Sequence, residues 1–304
     1  MLHAMRVGNA PVSWGVYEAD RPNPPFGVVL DAIAQAGYEG TELGPYGYLP
    51  TTPEALDQEL KSRRLVLGSS FVALPLEDPA RRAHSVDHAL SVARLLKTQG
   101  VGELILADDE DPARARIAGR VPADGSAGWS EQGWREAVAT VQAVARALRD
   151  VLGMRVVFHH HAGTFVETPQ EIERLLEQTD PEMVGLLLDT GHAVYGGGDP
   201  LELVMRHGPR IRYVHLKDAQ RAELERVRNT ETPMQEAWAR GVFCPLGEGV
   251  VDFPRLIETL RRRGYGGWLI VEQDVVPDAE GRLNPDPFAS ARRSRAFLRE
   301  AAGL

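Results

Sequence analysis

Residues 155–161 read Arg-Val-Val-Phe-His-His-His, a short apolar run that ends in three histidines. Residues 185–189 (Gly-Leu-Leu-Leu-Asp) and residues 211–216 (Ile-Arg-Tyr-Val-His-Leu) have a similar design, since each places an ionisable side chain at or next to its end. Short runs rich in Val, Ile and Leu are typical of the buried strands of a parallel sheet. A longer segment with the apolar spacing of a helix follows each run, and this alternation predicts βα units.

The number of these runs decides the architecture. Eight runs alternate with helical segments over the 304 residues, and eight βα units make a (β/α)₈ TIM barrel, which commonly forms one domain at this length. We therefore predict an α/β fold, a single TIM-barrel domain of residues 1–304. The predicted strands are Arg6–Ala10, Gly40–Leu43, Val66–Phe71, Glu103–Ala107, Arg155–His159, Gly185–Asp189, Ile211–Leu216 and Trp268–Glu272.

Helix starts and long connections complete this outline. Thr52-Pro53, Thr168-Pro169 and Asp199-Pro200 each place a capping side chain before a proline that suits the first position of a helix. Two connections are unusually long, residues 108–128 after the fourth predicted strand and residues 217–250 after the seventh. Connections of this length are usually functional, and in a TIM barrel they lie on the face where the strands end and active sites are built.

The composition restricts the partners and the kind of metal site. Asp and Glu (43) outnumber Lys and Arg (34), for a formal net charge of −9, and an acidic protein repels the phosphate backbone of nucleic acids. Cys244 is the only cysteine, which excludes an intramolecular disulfide and a cysteine-rich zinc site. The amino terminus, Met1–Arg6, lacks the apolar run of a signal peptide, and no stretch approaches the length of a membrane span. We therefore expect a cytoplasmic protein with no membrane and no nucleic-acid partner.

Ionisable side chains collect where the predicted strands end. Asp189, His215 and Glu272 are each the last inward residue of an otherwise apolar strand, and the histidine run ends strand five. In a parallel barrel these strand ends meet at one mouth, so residues that are far apart in sequence become neighbours. A single strand-end Asp or Glu is more often a helix cap or an ion-pair partner, but that explanation requires a separate coincidence at each of four strands.

Side-chain alternation decides which histidine joins this group. Along strand five, His159 and His161 share one face with Val157, whereas Phe158 and His160 share the other. Phenylalanine is better suited to packing under a helix, so we place His159 and His161 inward and expect a structural role for His160. Two imidazoles and two carboxylates suit Mn²⁺, Co²⁺, Zn²⁺ or Fe²⁺ better than Mg²⁺ or Ca²⁺. The predicted metal ligands are His159, Asp189, His215 and Glu272.

Several motifs are similar to those of a known group of enzymes. Through most of its length the chain resembles the xylose-isomerase-like barrel superfamily and, within it, the inosose dehydratase family. The Asp-Thr-Gly-His and His-Leu-Lys-Asp motifs are common in the superfamily, whereas the triple histidine and the Gly-Trp-x-x-Val-Glu strand point more narrowly to the dehydratases. The segments that carry the resemblance are residues 8–14 (GNAPVSW), 40–44 (GTELG), 159–164 (HHHAGT), 188–192 (LDTGH), 214–218 (VHLKD) and 266–274 (GGWLIVEQD).

The resemblance implies the chemistry of the site. It matches Asp189, His215 and Glu272 to metal positions of the superfamily, and it implies a divalent ion, for which we expect Mn²⁺ or Co²⁺ ahead of Zn²⁺ or Fe²⁺. Many sugar isomerases and epimerases of the superfamily have a glutamate as the strand-five ligand, whereas this sequence has a histidine there, which favours dehydration. The expected substrate is a cyclic polyhydroxy ketone of the inosose class, which would lose water through an enediolate.

The remaining polar residues at the mouth are candidates for proton transfer and substrate contact. We expect Glu42 or His161 to be the base, and His192 or Lys217 to be the acid or an electrostatic partner. Glu42 ends strand two, across the predicted mouth from the strands that carry the ligands, so we expect it to reach the substrate without joining the metal ligands. The expected substrate-binding residues are Asn9, Trp14 and Tyr46.

Three other functions remain open from the sequence. A ketose isomerase or epimerase would share the metal site and the enediolate but return the proton to carbon. A metal-dependent abasic-site endonuclease has the same barrel, although the acidic charge disfavours it. A barrel that binds a polyol as a sensor, without turnover, is the third. The sequence is compatible with a homo-oligomer in each case.

Overall fold

Parallel strands and helices alternate along the chain, as the sequence predicts. The structure is a computed structural model that describes residues 5–278 and 281–304. Most of the amino-terminal stretch Met1–Arg6, on which the expectation of no signal peptide partly rests, lies outside the described residues. The strands are β1 (Arg6–Asn9), β2 (Gly40–Thr41), β3 (Val66–Leu67), β4 (Phe71–Leu74), β5 (Glu103–Asp108), β6 (Arg155–His159), β7 (Val184–Asp189), β8 (Ile211–Leu216), β9 (Asp218–Ala219), β10 (Phe243–Cys244) and β11 (Trp268–Val271).

Helices cover the outside of the sheet and begin where the proline pairs predict. Thr168 caps its helix through a reciprocal pair of hydrogen bonds with Glu171, and Asp199 caps another through the amide of Leu201. Within the described residues, no helix is long and apolar enough to cross a membrane. The helices are α1 (Phe26–Gln35), α2 (Pro53–Ser62), α3 (Arg82–Thr98), α4 (Pro112–Ile117), α5 (Glu131–Leu152), α6 (Pro169–Gln178), α7 (Thr190–Tyr195), α8 (Pro200–His207), α9 (Arg221–Thr230), α10 (Met234–Ala239), α11 (Phe253–Arg262) and α12 (Pro287–Ala302).

The main sheet closes on itself into a barrel. Its nine strands pair in parallel in the order β3-β2-β1-β11-β8-β7-β6-β5-β4. The two end strands, β3 and β4, are separated along the chain only by Gly68–Ser70. The amide of Gly68 donates to the Thr41 carbonyl (2.8 Å) on one side, and the Ser70 carbonyl accepts from the Ile105 amide (3.2 Å) on the other. These residues connect the two edges, so the predicted TIM barrel is confirmed, with its third strand divided in two.

The third strand, which we predicted to be continuous, is interrupted at Gly68–Ser70, and Gly68 lies in a sterically tight position. Tyr213 projects from β8 into the barrel interior, where it packs with Ile105 and Ile270. A Cβ atom at residue 68 would lie 2.5 Å from the Tyr213 hydroxyl oxygen, so the glycine at this position makes room for the phenol. Local sequence cannot show this, because the two residues meet only after the barrel has closed.

Alternating side chains fill two separate cores of the barrel. Val157 belongs to the layer of inward residues inside the barrel, whereas Val156 and Phe158 pack beneath the helices. The next inward residue of β6 is therefore His159, which lines the cavity at the barrel mouth. The facing of strand five thus agrees with the prediction from alternation.

The two long connections, residues 108–128 and 217–250, fold together into a structured cap beside the barrel mouth. The first carries α4, and the second carries α9, α10 and the antiparallel pair of β9 and β10. Apolar side chains of the cap pack against Tyr195 of α7 in a cluster of their own. Arg120 links the two connections, because its guanidinium donates to the carbonyls of Val227 and Thr232, each at 2.9 Å.

Replacing Gly68 by alanine should destabilise the barrel. The added methyl group would meet the Tyr213 hydroxyl, and overpacking of this kind costs about 1 to 3 kcal/mol of unfolding free energy. Gly102→Ala is the matched control, because no atom lies within 4 Å of a Cβ atom at that position. Urea denaturation measures the cost, and we expect Tyr213→Phe to recover part of it in the double variant. Equal stability of the two alanine variants would contradict the steric explanation.

Candidate active site

A cavity of about 560 Å³ opens at the carboxyl ends of the strands. The strand ends contribute His159, His215 and Glu272 to its lining, while the cap and the loop after β2 contribute Trp238 and Tyr46. The volume is within the range of small-molecule sites. The position is the one where TIM-barrel enzymes carry their active sites.

The four predicted metal ligands come together beside this cavity, and three of them, His159, His215 and Glu272, line it. Asp189 Oδ2 lies 3.6 Å from His159 Nε2 and 3.6 Å from His215 Nδ1. Glu272 Oε2 lies 3.2 Å from the same nitrogen of His215. Atoms bound about 2.1 Å from one ion lie about 3.0 to 3.5 Å apart at tetrahedral or octahedral angles. The separations of Asp189 from the two histidines are close to this range, and Glu272 lies within it of His215. All four side chains are buried.

Two buried atoms of this group support a cation at its centre. Neither Asp189 Oδ2 nor His215 Nδ1 makes a hydrogen bond within the part of the chain that the structure describes. Buried polar atoms without a hydrogen-bond partner are rare, and a cation would give both atoms the missing interaction. The mixed set of imidazole and carboxylate donors also suits a transition-metal ion. The residues present could therefore hold a divalent metal ion.

Asp189 uses its two carboxylate oxygens for different purposes. Oδ1 accepts a hydrogen bond from the amide of His192 (2.8 Å) and so caps the start of α7, while Oδ2 faces the histidines of the ligand group. The roles of helix cap and metal ligand are compatible, because each needs one oxygen. The amide of Asp189 donates to Nε2 of the buried His160 (3.3 Å), which agrees with a structural role for that histidine.

Glu42 lies closer to the ligands than the sequence indicates. Its Oε1 atom is 2.9 Å from Nε2 of His215, which corrects the expectation that it stands across the mouth from the ligand group. An eight-stranded barrel is only wide enough for side chains to fill it, so inward side chains from distant strands touch. The donor atoms of His159, Asp189 and His215 lie within 4.8 Å of one another, and those of Glu42, His215 and Glu272 form a second such group, so the two groups share His215. A carboxylate on the outer nitrogen of a metal-binding histidine commonly orients its ring.

Opposite charges stabilise one another at the centre of the site. The buried Lys217 ammonium lies 3.3 Å from Asp189 Oδ2 and 3.1 Å from Glu272 Oε2. Burial alone would lower the pKa of Lys217, but the neighbouring carboxylates raise it well above its usual value. Burial would likewise raise the pKa of Glu272, but His215 and Lys217 hold it at about 2. Lys217 is thus an ammonium and Glu272 a carboxylate at neutral pH.

Two sequence motifs interlock to place Lys217. Thr190 Oγ1 accepts a hydrogen bond from the Lys217 amide (2.8 Å) and donates to the Lys217 carbonyl (2.6 Å). Gly191 leaves room for the lysine stem, since a Cβ atom there would lie 2.5 Å from Lys217 Cγ. His192 then brings its Nε2 atom to 3.0 Å from Lys217 Nζ. The residues that follow Asp189 in the Asp-Thr-Gly-His motif therefore all contact the lysine of the His-Leu-Lys-Asp motif.

The rings of His161 and His192 are in contact, with 3.8 Å between their centroids and an angle of 39° between their planes. Nδ1 of His161 lies 2.7 Å from the Ala162 carbonyl and must donate to it, which leaves Nε2 without a proton in the neutral ring. Burial lowers the pKa of His161 to about 3 and that of His192 well below its usual value, so both rings are neutral at neutral pH. His161 lines the cavity, whereas His192 is not among the lining residues.

Of the three predicted substrate-binding residues, one lines the cavity and two do not. Tyr46 lines the cavity, whereas Asn9 and Trp14 are not among its lining residues. The Trp14 indole donates to Asn9 Oδ1 (2.8 Å), and Asn9 Nδ2 donates to the Val271 carbonyl (2.9 Å). These bonds occupy both side chains in bracing β1 against β11, so we no longer assign Asn9 and Trp14 to the substrate.

Other cavity residues were not identified from the sequence. Asp274 is buried, lines the cavity and lies 3.1 Å from Lys217 Nζ through its Oδ2 atom. It follows Glu272 by two positions, so side-chain alternation could have placed it on the same face. Trp238 belongs to α10 of the cap, and no pattern in its surroundings indicates that it reaches the barrel mouth.

Sequence comparison assigns the chain to a family. The sequence matches the family described as xylose isomerase-like TIM barrel over residues 30–301. The chain belongs to that family. One relative, the inosose dehydratase of Geobacillus kaustophilus (strain HTA426), is 35% identical over 308 residues, which cover 98% of this chain and 94% of the relative.

Solved structures of the same fold are similar over almost the whole chain. The probable 3-DHS dehydratase AsbF of Bacillus anthracis has a TM-score of 0.73 at 19% identity and covers 97% of this chain and 98% of its own. The IOLI protein with a binding zinc atom has a TM-score of 0.71 at 14% identity and covers 98% of each chain. At these identities the likeness concerns the fold.

The two adjacent histidines should differ sharply in their effect on metal binding. His159 brings Nε2 to the ligand group, whereas Nε2 of His160 accepts a hydrogen bond from the amide of Asp189. We expect His159→Ala to lower the metal affinity by at least about 100-fold, and His160→Ala by about 10-fold or less, the lower end of the range for residues that support a ligand. Metal content after dialysis, measured by mass spectrometry of the ion, checks both values. Equal occupancy in the two variants would show that the facing of β6 is misassigned.

Proposed function

We propose that this protein is a metal-dependent hydro-lyase that dehydrates a cyclic polyhydroxy ketone such as inosose (2-keto-myo-inositol). The observation that carries the proposal is that Glu42 and Lys217 line the same cavity as three of the candidate metal ligands, His159, His215 and Glu272. Elimination of water next to a ketone needs charge stabilisation at the carbonyl oxygen, a base at the adjacent carbon and an acid at the leaving hydroxyl. Full-length similarity to relatives named inosose dehydratase supports the same reaction.

Four residues, His159, Asp189, His215 and Glu272, would hold the divalent ion. When bound, the ion would supply the positive charge that stabilises an enolate oxygen. We propose Mn²⁺ or Co²⁺, and the donor set also suits Zn²⁺ or Fe²⁺.

Glu42 is the proposed base. His215 holds one carboxylate oxygen, Oε1, at 2.9 Å, which leaves Oε2 to accept the proton from the carbon next to the ketone. The hydrogen bond also fixes the carboxylate, and a fixed base loses little entropy when it reacts. His161 is the other candidate with a free lone pair, but burial lowers its pKa to about 3, so it accepts a proton less readily than an ordinary imidazole.

Lys217 is the proposed acid. Hydroxide is a poor leaving group, so the C–O bond of the hydroxyl must break with transfer of a proton to its oxygen. Lys217 lines the cavity and carries a proton, whereas His192 does not line the cavity and supports the lysine from the side. In total, one proton passes from carbon to Glu42 and one from Lys217 to the departing hydroxyl, which leaves as water. The organic product is a deoxy dione, and a proton returned from Glu42 to Lys217 through solvent restores the site.

The charge of the cavity favours a neutral substrate. Six carboxylates line it, whereas Lys217 is its one Lys or Arg side chain among the described residues. Four of those carboxylates, Glu18, Asp108, Glu110 and Asp274, are not part of the candidate metal groups. A phosphorylated sugar would meet this excess negative charge, while an uncharged polyol can donate hydrogen bonds to it.

The proposed reaction is tested by product analysis. Protein loaded with Mn²⁺ or Co²⁺ should convert inosose to the deoxy dione, seen by NMR, and should leave phosphorylated ketoses unchanged. Chelation should abolish turnover, and either metal should restore it. An epimer or a positional isomer as the only product would instead establish the isomerase or epimerase reaction. Full turnover by protein shown to contain no metal would contradict the proposal.

The variant Glu42→Gln should show whether Glu42 acts as the base or as a metal ligand. Glutamine retains an oxygen that can accept the hydrogen bond from His215 but cannot take a proton from carbon. We expect kcat to fall by about 10²- to 10⁴-fold, as for loss of a general base, with the metal content unchanged. Exchange of solvent deuterium into the carbon next to the ketone reports the same step directly. If deuterium exchange continues at the wild-type rate, Glu42 is not the base and His161 becomes the candidate. If the variant loses its metal, Glu42 is a metal ligand.

A further inference from the structure

Lys217 is shared between two groups of acidic residues. Its Nζ atom contacts Asp189 and Glu272, which belong to the candidate metal ligands, at 3.3 and 3.1 Å. It also contacts Asp274 Oδ2 at 3.1 Å, and Asp274 belongs to neither candidate metal group. The ammonium therefore sits between carboxylates that a metal ion would engage and one carboxylate that it would leave free.

A cation held by Asp189 and Glu272 would compete with Lys217 for the same oxygens. The ammonium would lose these two partners and would also be repelled by the ion, because two positive charges a few ångströms apart in a buried site repel strongly. A buried ammonium without a counter-charge is expensive. Lys217 must then either leave the site or rely on a carboxylate that is not a ligand.

The surroundings of Lys217 keep it in the site. Thr190 binds its amide and its carbonyl, and the stem lies against Gly191, where no side chain would fit. The Phe243 ring lies 5.1 Å from Nζ. The freedom that remains to the side chain is a small displacement of the ammonium away from the ligands, and Asp274 already contacts it.

We infer that Asp274 is a positioning residue, the counter-ion that retains the Lys217 ammonium beside the cavity when a metal ion occupies the ligand group. This inference rests on the proposed metal site but not on the proposed reaction. Removing the Asp274 charge releases Lys217 to pair with Asp189 and Glu272, so the lysine competes with the metal. The effect of Asp274 on metal binding therefore passes through Lys217.

A thermodynamic cycle on metal affinity tests the inference without any substrate. Co²⁺ binding is measured by calorimetry for the wild type, Asp274→Asn, Lys217→Met and the double variant. We expect Asp274→Asn to weaken Co²⁺ binding by about tenfold and Lys217→Met to strengthen it, and we expect the double variant to bind within about twofold of Lys217→Met, as coupling between contacting residues requires. Asp274→Glu, which retains the charge, should recover most of the affinity.

Two results would overturn the inference. If Asp274→Asn weakens binding equally with and without Lys217, Asp274 acts on the ion directly, as a ligand or as a nearby charge. If it changes Co²⁺ affinity in neither background, the lysine needs no such counter-ion. Glu110→Gln is the matched control, because Glu110 also lines the cavity but forms no ion pair with Lys217 among the described residues, and it should alter the affinity by less than about twofold. Thermal unfolding of each variant verifies that it is folded. Because the cycle measures Co²⁺ affinity alone, its outcome does not depend on whether the protein turns over inosose.

Discussion

Four carboxylates meet at the mouth of one barrel, those of Glu42, Asp189, Glu272 and Asp274. The other residues of the site are arranged so that their negative charge is balanced. Closure of eight parallel strands leaves no other place for inward side chains at the strand ends. Carboxylates this close do not all stay ionised unless cations balance them. Lys217 contacts three of the four, and His215 contacts Glu42, Asp189 and Glu272. A divalent ion would complete the balance and turn the cluster into a site for enolate chemistry.

The same crowding explains features that look unrelated in sequence. Gly68, at the break in the third strand, makes room for Tyr213, and Gly191 makes room for the stem of Lys217. Asp189 divides its oxygens between the start of α7 and the ligand group. Each of these residues satisfies a packing or capping need and the geometry of the site at the same time. The barrel interior and the reaction centre therefore share one set of steric constraints.

Much of the fold and of the ligand group could be predicted because both follow from periodicity. Continuous apolar runs gave seven strands within a few residues of their observed ends, and side-chain alternation placed His159 inward. The third strand was predicted as continuous, and the contact between Gly68 and Tyr213 at its break joins residues that are distant in sequence. The substrate contacts of Asn9 and Trp14 were not supported, since those side chains bond to each other. The place of Trp238 at the cavity could not be predicted, because the position of the cap depends on tertiary packing.

The central claim is that one divalent ion binds where four strand ends converge. Anomalous X-ray diffraction from crystals grown with Mn²⁺ or Co²⁺ tests it most directly, since the anomalous signal locates the ion and its ligands independently of activity. The account predicts a single strong peak per chain, bound by His159, Asp189, His215 and Glu272, with Lys217 turned toward Asp274. No peak at the barrel mouth, or a peak held by Glu42 in the absence of His159, would contradict it.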